Sequence, residues 1–218
     1  MTNSVLTTAA DLAGHALARV TEGVAALRRP DKPLHPDGEL YAGSLVRPGS
    51  DSPIGVPWID QSGVDEVTVR VSRAIGLPGP LPDVAGLAVR LRKGQTRYGD
   101  LLLASTGWDP ITRHLLMPAW NDRRPLTSLL PYRSPIGAIV IGARPRGELA
   151  YELCWAPVGG GWRPLGELTL EMPLPPEDEV SFDPILNTLP GLQHYAWVER
   201  LREQSYAVAR RVRRASEG

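Results

Sequence analysis

The chain is short of several residue types, and each shortage excludes something. Cys154 is its single cysteine, so no disulfide can form within it. That suits a reducing compartment. Its 24 basic and 24 acidic residues cancel, so no global positive field draws it to nucleic acid. Phenylalanine occurs once among 218 residues. No apolar run approaches the length needed to cross a bilayer. The first residues lack a basic start, and Asp11, His15 and Arg19 interrupt the apolar ones, so no signal peptide is expected. These shortages point to a soluble, cytoplasmic protein with neither a membrane nor a nucleic acid as partner.

Glycine and proline are plentiful, at 22 residues each, which favours many turns and short strands over a helical bundle. Hydrophobic residues at 42% and charged residues at 22% give an ordinary globular balance. Leu6, Ala9, Ala10, Ala13, Leu17, Val20, Val24 and Leu27 recur at helical spacing over 3–28, and Pro30 and Pro33 close that helix. Strand-like runs follow at Glu39–Arg47, Val64–Ser72, Ala85–Leu91, Gly99–Thr106, Ile136–Ala143, Glu148–Pro157 and Trp162–Met172. Residues 107–133 are irregular, 173–183 are an acidic, proline-rich loop, and 192–214 are predicted as a final helix. The expected fold is α+β, a single domain over 1–218 in which helices at both ends flank an antiparallel barrel.

Three segments carry candidate chemistry. In Val64–Ser72 the valines at 67, 69 and 71 share one face, and Thr68, Arg70 and Ser72 share the other. If the valines pack outward, Arg70 points into the barrel and needs an anionic partner; if the valines form the core, Arg70 faces solvent. In the final helix Arg202 and Tyr206 are one turn apart, and a guanidinium there favours the tyrosinate. Tyrosinate is a known axial ligand of haem iron. His35 sits in a His-Pro-Asp-Gly loop and titrates near neutrality, as an acid–base group would. Taken singly, each of these also reads as ordinary surface.

Taken in series they resemble the catalase superfamily. His35, Gly38 and Gly43 match its distal H-x-x-G-x-x-x-x-G segment. Val69-Arg70-Val71-Ser72 with Gly76 matches V-R-F-S and the glycine after it, and Asp83–Leu91 matches D-x-x-G-(F/L)-A-V-(K/R)-(F/L). Asp100–Thr106 matches D-L-V-x-x-x-T, and Phe182-Asp183-Pro184 precedes Arg202 and Tyr206 as F-D-P precedes R-x-x-x-Y. The resemblance covers 32–106 and 182–213.

The resemblance implies a catalase-like barrel with haem b inside and Tyr206 on the iron, held as tyrosinate by Arg202. His35 would lie over the distal face, with Ser72 bonded to its imidazole. Arg70 would meet a haem propionate, with Lys32 and Arg213 as further propionate partners. The family has arginine at the position of Lys32, and lysine lacks its bidentate fork. It has a peroxide-holding asparagine where this chain has Ser105, preceded by Ala104. The chain is also far shorter than a classical catalase. These departures favour peroxidase chemistry on hydrogen or organic peroxides over peroxide disproportionation. The alternatives are a hydroperoxide dehydratase-like enzyme or another small oxygen or nitrogen substrate, and a non-catalytic haem carrier. A basic C-terminal helix that meets another macromolecule, with no haem, is a further reading, and pairing of two copies through the N-terminal helix would give a homodimer. Trp58, Trp108, Trp120 and Trp155 read as core, Cys154 as buried and inert, and His114 and His194 as lacking metal-ligand spacing.

Overall fold

The computed structural model describes residues 38–73, 84–93, 97–119, 124–175 and 180–199. The chain divides into two units, Met1–Pro33 and Leu34–Gly218, and every described residue lies in the second. The strands are β1 (Gly38–Arg47), β2 (Gly63–Arg73), β3 (Ala85–Lys93), β4 (Arg97–Ser105), β5 (Leu126–Thr127), β6 (Tyr132–Ser134), β7 (Gly137–Pro145), β8 (Ala150–Pro157), β9 (Arg163–Pro173) and β10 (Gln193–His194). They form one antiparallel sheet in the order β10-β6-β7-β5-β4-β3-β2-β1-β9-β8. A further β7–β8 pairing closes the run from β7 round to β8 into an eight-stranded antiparallel barrel, with β6 and β10 continuing outside it. Closure pairs every barrel strand on both sides, which removes the exposed edges that an open sheet would present.

Alternation along the strands fills the interior. Leu45 of β1, Val67 and Val69 of β2, Leu87 and Val89 of β3, and Leu101 and Leu103 of β4 point inward and are almost wholly buried. From the far wall they meet Ile139, Ile141, Leu153, Trp155 and Leu168 in one core cluster. Each such burial contributes roughly 1.5–3 kcal/mol. The interior is therefore a packed core of side chains.

The β1–β2 connection caps one end. Helix α1 (Pro57–Asp60) buries Trp58 and Ile59, and the Asp60 carboxylate accepts from the backbone N–H groups of Ile54, Gly55 and Val56. Beside it Arg47 is nearly buried. Its Nε donates to Asp65 at 2.6 Å and its Nη1 to the carbonyls of Trp58 and Gln61.

The seven long strands lie where the sequence places them, to within a residue or two. Two short strands, β5 and β6, fall in the stretch expected to be irregular. Residues 193–194 belong to a strand, not to the final helix, because they pair with β6; a helical turn begins at 196. The predicted N-terminal helix and the rest of the C-terminal one lie outside the described residues. Among the described residues no helix is long and apolar enough to cross a membrane.

Candidate functional site

The outer faces of β1–β4 form three cross-strand rows. Gly38, Ser72, Gly86 and Ala104 make the first; Leu40, Arg70, Ala88 and Leu102 the second; Ala42, Thr68, Arg90 and Asp100 the third. The first two rows carry small side chains apart from two leucines and Arg70, so this wall is a shallow shelf. The side chain of Arg70 crosses β1 over Gly38, where an added Cβ would lie 2.5 Å from Arg70 Nε and 3.1 Å from the Ser72 Cβ. Arg70 is half-buried and Ser72 is buried.

This arrangement decides the facing of β2. Val67 and Val69 belong to the core and Val71 packs against it, so Arg70 and Ser72 share the outer face. The expectation that haem sits inside the barrel is corrected by the same fact: apolar side chains occupy that space. Ser105 is not brought to the shelf either. It lies on the inward side of β4, fully buried, donating to the Met117 carbonyl at 2.6 Å and accepting from Ala85 N–H at 3.1 Å. Its single donor is committed to holding segment 115–119 against the barrel, and Ala104 holds the outward position instead. Lys32, His35, Arg202, Tyr206 and Arg213 lie outside the described residues, as does Trp120.

The third row ends in a clamp that sequence reasoning missed. Arg90 Nε and Nη2 donate to the two oxygens of the Asp100 carboxylate, both at 2.7 Å. Such a fork is the strong form of an ion pair. Asp100 is fully buried and also accepts from the Asp183 N–H at 2.7 Å and the Asn187 side-chain amide at 2.8 Å. Arg90 donates on to the Ser181 carbonyl at 2.6 Å and sits 5.1 Å from the centroid of the Phe182 ring. Two motifs on neighbouring strands thus meet a third from 83 residues further along the chain. The signal available in the sequence was the presence of Arg90, Asp100 and Phe182-Asp183 in separate motifs; their mutual contact needed the register.

A second polar cluster lies around the 3-10 turn Thr112–His114. Arg113 is buried, stacks over Trp162 at 4.7 Å, and donates to the carbonyls of Asp109 and Gly160. Trp162 in turn stacks on Trp108 at 4.1 Å. His114 Nδ1 lies 2.7 Å from the Leu129 carbonyl, which can only accept, so Nδ1 carries the proton. Leu129 has φ 59°, a left-handed conformation uncommon for a branched residue. Burial, with a lesser contribution from Arg113, pushes the His114 pKa down, which keeps the ring neutral. The Asp109 carboxylate caps this turn and is held at about 2, chiefly by the Thr112 hydroxyl. Cys154 is buried, and burial raises its thiol to about 11, consistent with an inert side chain.

Among the described residues no group of three or more His, Cys, Asp or Glu side chains is placed to hold a metal ion. The geometry thus defines a closed antiparallel barrel with one small-residue outer shelf. No protein-family model matches the chain, and no curated protein matches it in sequence.

Proposed function

We propose that the chain is a catalase-like haem protein that reduces hydrogen or organic peroxides as a peroxidase, with haem b seated against the outer shelf of β1–β4. The observation that carries this reading is the shelf itself. Gly38, Arg70 and Ser72 come from two of the resembling motifs and lie together on it. The described residues fit the group: small side chains accept the face of a flat ring, and the Arg70 guanidinium suits a propionate carboxylate. Tyr206, held as tyrosinate by Arg202, supplies the iron ligand, and Lys32 and Arg213 are the further propionate partners. Bound haem supplies an iron centre at which a peroxide O–O bond can be reduced. His35 takes the peroxide proton and returns it to the leaving oxygen, and Ser72 orients the imidazole.

Peroxidase chemistry is favoured over disproportionation because Ala104 offers the shelf no hydrogen bond and Ser105 is turned away from it. The same observation favours a second reading, a haem carrier with no turnover, in which Tyr206 is needed and His35 is not.

The test is the ultraviolet–visible spectrum of protein purified with haem supplied, for the parent and for Tyr206→Phe. The expected result is a ferric high-spin tyrosinate-type Soret band in the parent that the variant loses or shifts. Turnover of peroxide with an organic reductant, present in the parent and absent in His35→Ala, selects the peroxidase over the carrier. A parent that takes up no haem removes both readings.

A further inference from the structure

We propose that the buried Arg113 guanidinium binds a small monoanion, of the size of chloride, at its Nη1 corner. The site lies beside β7 and β8, away from the shelf, and is independent of the haem reading.

Two arginines bracket one aromatic stack there. Arg113 lies over Trp162 at 4.7 Å, Trp162 stacks on Trp108 at 4.1 Å, and Arg144 of β7 lies over Trp108 at 4.9 Å. The stack rests on Gly142 of β7, where an added Cβ would lie 2.7 Å from Trp162 and 2.8 Å from Trp108. Arg144 is exposed and pairs with the Glu152 carboxylate at 3.3 Å. Arg113 is 1% exposed, and no ion pair among the described residues includes it. The guanidinium that water can solvate thus has a carboxylate, and the one shut away from water has none.

The surroundings of Arg113 supply no counter-charge. Nε and Nη2 donate to the carbonyls of Asp109 and Gly160, at 3.2 and 2.6 Å, and a carbonyl is neutral. The Asp109 carboxylate is exposed and turned to its own turn, where it accepts from the N–H groups of Ile111 and Thr112 and from the Thr112 hydroxyl. His114, the next residue, is kept neutral by burial. Nη1 is buried and has no hydrogen-bond partner among the described residues.

An arginine keeps its proton in a protein, so the charge remains although burial works against it. The Trp162 face offsets part of the cost. A water at Nη1 would accept a hydrogen bond and leave the charge uncompensated; an anion does both. One guanidinium calls for one negative charge, which disfavours sulfate and phosphate dianions. An atom with almost no solvent contact calls for an ion of few atoms. Bound there, the anion would brace the turn at 109–114 against the β8–β9 hairpin, which Arg113 already joins through Gly160.

The experiment follows thermal unfolding of the full chain, without haem, in chloride and in gluconate at one pH and one ionic strength, for the parent and for Arg113→Met. The expected result is a midpoint in the parent that rises by about 5–10 °C once chloride stands a hundredfold above its dissociation constant. Arg113→Met, which fills the same space without a charge, should show equal midpoints in the two salts. Equal midpoints in the parent overturn the proposal. So does an equal rise in the variant, because the anion then acts elsewhere. Crystals of the parent grown in bromide decide the matter even if Arg113→Met does not fold. An anomalous peak within hydrogen-bond reach of Arg113 Nη1 is expected, and no peak there overturns the site.

Discussion

The two faces of β1–β4 are made by the same four strands and have opposite characters. The inner face presents Val67, Val69, Leu87, Val89, Leu101 and Leu103, which are large, branched and almost without solvent contact. The outer face presents glycine, alanine, serine and threonine with two leucines, around Arg70 and the Arg90–Asp100 pair. The difference separates apolar packing from hydrogen bonding. The inner face buries apolar area, and the polar group it holds on β4, Ser105, is fully hydrogen-bonded. The outer face contributes less apolar burial, carries smaller side chains, and concentrates hydrogen-bonding groups. A strand that alternates strictly can serve both ends at once.

The largest effect should come from placing one charge on each face of β2. Val69→Asp puts a carboxylate among aliphatic side chains and should leave the barrel unfolded at room temperature, a loss of several kcal/mol. Thr68→Asp, one residue away on the outer face, should lower the unfolding free energy read from urea denaturation by less than about 1 kcal/mol. Equal losses would sink the assignment of faces.

A smaller contrast comes from two glycines of β1. In Gly43→Ala the new Cβ meets the backbone carbonyl of Thr169 at 2.3 Å. This carbonyl cannot step aside, because β9 is paired to β1 there with a register shift between Ala42 and Gly43. The expected loss is about 1–3 kcal/mol by chemical denaturation. In Gly38→Ala the obstacle is the Arg70 side chain, which can rotate away. Stability should hold, while hemin affinity, on the haem reading, drops because Arg70 has moved. A Gly38→Ala protein with unchanged hemin binding would argue against Arg70 as a propionate partner.

The smallest effect is a pH dependence outside the shelf. His114 has a folded pKa below its ordinary value of 6.5, chiefly through burial. A proton therefore binds the unfolded chain more tightly than the folded one. The stability that the neutral ring contributes is present above that ordinary value. It is lost as the pH falls below it toward the lowered folded value. Between about pH 8 and about pH 5 the urea midpoint should fall more in the parent than in His114→Asn, which retains a donor for the Leu129 carbonyl. Parallel midpoints in the two proteins would show that His114 does not titrate in this way.

Much of the barrel was legible in the sequence because its signal is local. Val64–Ser72 alternates, glycine and proline punctuate the long strands, and hairpin turns fall at Pro145–Gly147 and Gly159–Gly161, so seven strands could be drawn without a structure. The short strands β5, β6 and β10 carry two or three residues each and have no period to detect. Ser105 shows the limit of motif matching. Its place in the series suggested a group facing substrate, yet a one-residue step along a strand reverses the face, and Ala104 holds the outward position.

The sequence alone determined that the chain is a strand-rich protein without disulfides, and that Arg70 and Ser72 share a face opposite the valines, since alternation has a period of two. It also held the ordered motifs that resemble catalases. Only the tertiary structure decided which of those faces is the core, because both assignments satisfy the same alternation and closure of the barrel chooses between them. It alone brought Arg90, Asp100 and Asp183 together, because cross-strand register and a return of the chain across more than eighty residues are long-range facts that no local pattern encodes.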